Sequence, residues 1–154
     1  RGALGALGRH HGLPLHELHS FGLEIQDSAD PTSVARALVS AVGRVMTVQP
    51  VVISLPQEHG EKLVVAVAVG SGERSHPILQ ARSALVTWLQ EQDGAVSKAH
   101  VWALPQWQGL SEHEQADIAG MGIELFVPLA IKDSLLGLLM IGGQVGWTEI
   151  HHGG

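Results

Sequence analysis

Residues 123–144 read Ile-Glu-Leu-Phe-Val-Pro-Leu-Ala-Ile-Lys-Asp-Ser-Leu-Leu-Gly-Leu-Leu-Met-Ile-Gly-Gly-Gln. Two apolar runs flank one polar cluster, Lys132, Asp133 and Ser134, which is the pattern of strand, short turn, strand. Both runs stay apolar at odd and even positions, so both faces of the sheet are expected to be covered. A hairpin alone is marginal in water. This one therefore belongs to a larger sheet with helices, or a helix and a pocket, on its faces.

Upstream of the hairpin the apolar spacing alternates between helical and extended periods. Leu15, Leu18, Phe21, Gly22 and Ile25 recur at three- and four-residue steps and predict a helix over 15–26. Asp30-Pro31 supplies a cap and a first-turn proline for a second helix, whose stripe is Val34, Ala37, Leu38, Ala41, Val42, Val45 and Met46. Pro50 ends that region, and Val51–Leu55, short and β-branched, reads as a central strand pairing with a second strand over 63–69. His76-Pro77 is expected to open a helix running to about Gln92, with Ile78, Leu85, Val86 and Leu89 on its buried side and Asp93-Gly94 as its stop. Residues 99–103 are expected as a short strand and 104–110 as a loop. Ser111 and Glu114 form a capping box for a brief helix ending at Gly120–Gly122. After the hairpin, Trp147-Thr148-Glu149-Ile150 reads as the start of one more helix. Hairpins flanking intervening helices make the fold class α+β with a central sheet.

Composition narrows the function. With 154 residues, 45% of them hydrophobic, the chain can bury one sizeable core. A net charge of -6 and only nine scattered Lys and Arg argue against a nucleic-acid surface. Without cysteine there are no disulfides, thiolate metal sites or cysteine nucleophiles, which fits a cytoplasmic domain. No apolar run reaches the roughly 18 residues of a membrane span, and no signal peptide is evident. Residues 1–14 read as a disordered or linker lead-in, 15–150 as the domain, and 151–154 as a cut end of a piece taken from a longer protein.

Several motifs point at chemistry that their neighbours do not support. Gly70-Ser71-Gly72 follows a strand, but the third glycine and the later acidic residue of a dinucleotide site are missing. His16-Glu17-Leu18-His19 has its histidines three apart, where a metalloprotease helix needs four. Its likeness to a phosphoacceptor box stops at Ser20 and Phe21. The ten histidines show no tight ligand spacing, so no metal is expected. No hydrolase elbow, carboxylate pair or phosphate-cradling loop occurs, and no catalytic residue is assigned. Trp88, Trp102 and Trp107, with His76, Arg82 and His100 nearby, could line a concave apolar pocket with a few polar anchors. Ordinary core packing accounts for the same tryptophans.

In this order of elements the chain resembles the GAF domain family, particularly the modules that precede kinase or output domains in bacterial signalling proteins. The resemblance rests on Trp88-Leu89-Gln90-Glu91-Gln92-Asp93-Gly94 at the end of a helix, and on Glu124-Leu125-Phe126-Val127-Pro128-Leu129. It continues in Leu135-Leu136-Gly137-Leu138-Leu139-Met140-Ile141-Gly142 and Trp147-Thr148-Glu149. It implies a central antiparallel sheet with a ligand pocket on one face and dimer-forming helices on the other. It gives no cofactor. There is no cysteine for a covalently attached bilin or for methionine sulfoxide reductase chemistry, and the Asn-Lys-x-Asp-Glu pattern of cyclic-nucleotide binders is not visible.

The function expected is a non-catalytic sensor in a histidine kinase or similar protein. It would bind a small molecule through Trp102, Trp107, His100, Arg82, His76 and Trp88. A homodimer would relay the signal to a covalently linked output domain through terminal helices, with Leu15, Leu18, Gly22 and Ile25 as the pairing stripe. The alternative is a ligand-free dimerisation and relay module whose pocket is filled by Trp102, Trp107 and aliphatic side chains.

Overall fold

The computed structural model describes residues 15–46, 48–57, 59–70, 77–131 and 134–145. Helices α1 (Leu15–Asp27) and α2 (Pro31–Met46) precede strands β1 (Val48–Pro56), β2 (Lys62–Val69) and β3 (Leu79–Gln80). Helix α3 (Ala84–Gln90), strand β4 (Val96–Ser97) and three short helices, α4 (Lys98–Trp102), α5 (Pro105–Gln108) and α6 (Glu112–Ala119), lead into β5 (Ile123–Ile131) and β6 (Ser134–Val145). The sheet has the order β3-β2-β1-β6-β5-β4, and every neighbouring pair is antiparallel.

The hairpin that decides the fold behaves as its doubly apolar pattern requires. Val127, Leu129, Leu139 and Ile141 face a core built with α1 and α2. Phe126, Leu138 and Met140 face a second core built with α3–α6. Strand β1 divides its side chains in the same way, with Val51, Ile53 and Leu55 in the first core and Val52 in the second. The sheet is thus the shared middle layer of an α+β fold, and each face is covered by different helices.

Strand pairing is interrupted where one chain carries an extra residue. Ile53 opposes Val67 but Ser54 opposes Val65, which leaves Ala66 as the extra residue of β2. Leu129 opposes Gly137 but Ala130 opposes Leu135, which leaves Leu136 as that of β6. A third irregularity surrounds Pro50, which has no N–H for the ladder. Gly142 lies opposite it, and a Cβ there would stand 2.2 Å from both the Gln49 carbonyl oxygen and Pro50 Cδ. The strands close at that point because residue 142 lacks a side chain.

Five expectations are corrected. Pro50 does not end a helical region; it lies inside β1, joined to Gln49 by a cis peptide bond. The helix expected from His76-Pro77 begins only at Ala84, because Leu79 pairs with Leu63 and the Ser83 hydroxyl accepts from Val86 N–H as the cap. Ile78 is 52% exposed rather than buried, whereas Leu85, Val86 and Leu89 are buried. Residues 99–102 are helical and Ala103 caps them, since Ser97 accepts from His100 N–H at 3.2 Å and starts α4; the strand lies just before them. Residues 105–108, expected as loop, form one helical turn with Pro105 at its start.

In α2 the buried face is Ala35, Leu38, Val39 and Val42, spaced three and four apart, and Ala37 is turned to solvent. The capping box at Ser111 and Glu114 is present in both directions. The lead-in, the end at 151–154 and Trp147-Thr148-Glu149-Ile150 lie outside the described residues.

Candidate functional site

The α3–α6 layer is held by caps and ring contacts rather than by long helices. Helices of four to eight residues are too short to be stable by themselves. Serine side chains cap α3, α4 and α6. Three glutamines then fasten the tryptophans: Gln92 Nε2 donates to the Trp88 carbonyl at 2.9 Å, Gln108 Nε2 to that of Trp102 at 3.3 Å, and Gln115 Nε2 to that of Trp107 at 2.8 Å. These bonds fix the main chain from which the rings project.

The rings pair off accordingly. Trp102 and Trp107 stack with centroids 3.9 Å apart and planes 8° from parallel. Trp102 also lies 6.0 Å from Phe126 of β5, so the stack rests on the sheet. Trp88 meets the His100 ring edge to face at 5.3 Å. Trp107 is only 6% exposed and belongs to the second core, while Trp88 and Trp102 are half-buried against it. Four of the sequence-derived pocket residues therefore form two ring pairs in one layer. Arg82 is exposed in the turn before α3, and His76 lies outside the described residues.

Two polar atoms in this half of the molecule went unnoticed in the sequence. Ser54 is 0% exposed in the central strand, on the side of the sheet facing α3–α6, and its Oγ has no hydrogen-bond partner. Gln106 Oε1, on the turn that carries Trp107, is likewise buried without a partner. Ser54 did leave a signal: it is the single polar residue between Val51 and Leu55. At the rim, Lys98 Nζ pairs with Glu124 Oε2 at 2.9 Å and ties α4 to β5. Among the described residues no three His, Cys, Asp or Glu side chains converge as a metal site would require.

On the opposite face, Gly22 and Ile25 of the proposed pairing stripe are buried within the domain. A Cβ at Gly22 would stand 3.6 Å from Leu136 Cδ1, in ordinary contact, so α1 lies close on β6 there. Leu15 and Leu18 belong to the same helix. Beneath its C-terminal end is a groove of about 520 Å³ between the α1–α2 junction and strands β1, β2 and β6.

No family model and no curated protein matches the sequence. Solved structures do match its backbone. A segment of a methyl-accepting chemotaxis protein and the GAF domain of the cyanobacteriochrome TePixJ each superpose with a TM-score of 0.54 at 16% identity, over 82% of this chain and 82% of theirs. The nlh2 GAF domain of A. aeolicus, in an inactive state, superposes with a TM-score of 0.50 at 9% identity, over 90% of this chain and 84% of that one. At such identities the likeness resides in the path of the chain, and with a six-stranded antiparallel sheet between two helical layers the protein has the GAF fold.

Proposed function

We propose that the chain is a non-catalytic sensory module of a bacterial signalling protein, in which a small molecule bound between the sheet and the α3–α6 layer biases a covalently linked output domain. The observation that carries this reading is the pair of buried, unpartnered polar atoms, Ser54 Oγ and Gln106 Oε1. Buried groups of this kind are uncommon, because each forfeits the hydrogen bonds it made in water. A ligand donating to Gln106 and bonding to Ser54 would restore them. Trp88 and Trp102, both half-buried, would supply its apolar walls, with the exposed His100 at the rim.

The ligand would act by favouring one of two arrangements of the layer. The shared sheet connects that layer to α1, where the packing of Gly22 against Leu136 offers a mechanical link to the terminal helices. A cytoplasmic homodimer feeding a sensor histidine kinase is the setting this reading favours.

One observation favours a second reading, a ligand-free dimerisation and relay module. Trp107 is buried in the second core and stacked on Trp102, as a layer filled by its own side chains requires.

Thermal shift with nucleotides, tetrapyrroles and small acids separates the two. A ligand at 100 times its dissociation constant adds about 2.7 kcal/mol of stability. The sensor reading expects such a shift for one class, and expects it to disappear in Ser54→Val and Trp102→Ala. No shift with any compound would favour the relay, and a shift indifferent to both substitutions would overturn the placement of the ligand against the α3–α6 layer.

A further inference from the structure

A second concave site lies on the other side of the sheet, and its construction points to a ligand of a particular kind. Its floor comes from three adjacent strands: Val64, Val65 and Ala66 of β2, Leu55 and Pro56 of β1, and Leu135 and Leu136 of β6. Ile25 and Gln26 at the end of α1, with Pro31 and Thr32 at the start of α2, form its wall. The groove measures about 520 Å³, inside the range of roughly 300–1,000 Å³ usual for small-molecule sites.

Two features distinguish it from an accidental gap between helix and sheet. The extra residues of two separate bulges, Ala66 and Leu136, both line it, one from each strand flanking β1. Bulges re-aim side chains and concentrate beside functional sites. Next, among the described residues its polar lining consists of Gln26, Thr32 and Gln57, with no charged side chain among them. A charged ligand would lose its hydration without gaining a counter-charge. An uncharged ligand with one or two hydrogen-bonding ends suits this lining.

We infer that the groove between the α1–α2 junction and the bulged strands β2 and β6 binds a neutral, largely apolar small molecule. Amide or hydroxyl groups of that molecule meet Gln26, Thr32 and Gln57. No residue of α3–α6 lines the site, although Val65 and Leu135 of its floor also pack against the second core, and it does not depend on a ligand binding there. A molecule seated in it would touch both helices and three strands at once, and would oppose any sliding of the helices on the sheet.

The test is titration of the chain with N-phenyl-1-naphthylamine, a neutral fluorophore, beside its anionic relative 8-anilinonaphthalene-1-sulfonate. Saturable binding of the neutral probe at one site per chain is expected, with affinity at least about tenfold above that of the anion. Leu136→Trp, which fills the groove, should weaken it by about tenfold or more. Thr32→Trp, at the helix end of the wall, should do the same if Leu136→Trp does not fold. Trp102→Ala should leave it unchanged. Equal binding by wild type and the filled variants, no saturable binding, or loss in Trp102→Ala would each overturn the proposal. So would light scattering that showed a dimer made monomeric by Leu136→Trp, because a second copy would then be the occupant.

Discussion

The two faces of the sheet bury comparable cores by opposite means. On one, α2 lays a continuous aliphatic stripe of Ala35, Leu38, Val39 and Val42 on the strands from a single helical surface, and α1 adds Phe21 and Ile25. On the other, no helix among the described residues exceeds eight residues, and order comes from serine caps, glutamine bonds to tryptophan carbonyls and the stacked rings of Trp102 and Trp107. The first face depends on regular periodicity. The second depends on individual residues, each holding a short piece in place, and so has more ways to rearrange locally without unfolding the sheet.

Core truncation on each face gives the largest test of this contrast. Trp107→Ala should cost about 3–5 kcal/mol, and Leu38→Ala, on a fully buried α2 position, about 2–5 kcal/mol. The informative difference is where structure is lost. Native-state hydrogen exchange should show Trp107→Ala opening α4–α6 ahead of the rest, and Leu38→Ala lowering protection throughout. The same pattern in both variants would break the distinction.

Removal of a cap comes next. Ser111→Ala deletes half of the capping box of α6 and should cost about 1 kcal/mol in urea denaturation, with faster exchange confined to α6 and the turn after it. An effect on α1 or α2 would mean that the faces are coupled more tightly than their packing suggests.

A smaller effect is expected at the rim. Lys98→Ala breaks the pair with Glu124, whose side chains are 41% and 48% exposed, and should cost less than about 1 kcal/mol, declining as salt is added. A salt-independent loss would indicate that the lysine stem, not its charge, holds α4 to β5.

The mildest test concerns the cap of the long helix. Asp30 precedes α2 and accepts from the Ser33 hydroxyl at 2.6 Å and from Ser33 N–H at 3.4 Å. The hydroxyl bond is the main reason its carboxyl lies below the ordinary range. A carboxyl so depressed in the folded state contributes stability above its unfolded pKa of about 3.9, and that contribution disappears as pH falls through the folded value. Asp30→Asn should therefore remove a small acid-dependent component from Tm measured over pH 2–6. Identical pH profiles for the two proteins would exclude it.

Legibility in the sequence followed the same division. The hairpin, both long helices and the capping box could be read because each expresses its burial as a period or a local bond between near neighbours. Alternation cannot be seen in segments as short as β3 and β4, so residues 77–83 resembled the start of a helix and residues 99–103 a strand. Tertiary pairing with β2, and caps at Ser83 and Ser97, decided those cases. The tryptophans stood out by type, but which ring would meet which depended on turns that no period announces. The groove was invisible altogether, since its residues come from five elements and two of them from bulges.

By itself, then, the sequence determined a doubly covered antiparallel sheet, because apolar side chains at every position of residues 123–131 and 135–141, save Glu124 and Gly137, leave no face that can remain in water. It also determined where the two long helices start, since Asp30-Pro31 and the apolar steps around it act over one or two turns. Only the tertiary structure decided which tryptophan is core and which is half-buried, that Ser54 is sealed in without a partner, and that two bulges open a groove under α1. Each of those outcomes is set by groups far apart in the chain, whose proximity exists only once the sheet has brought them together.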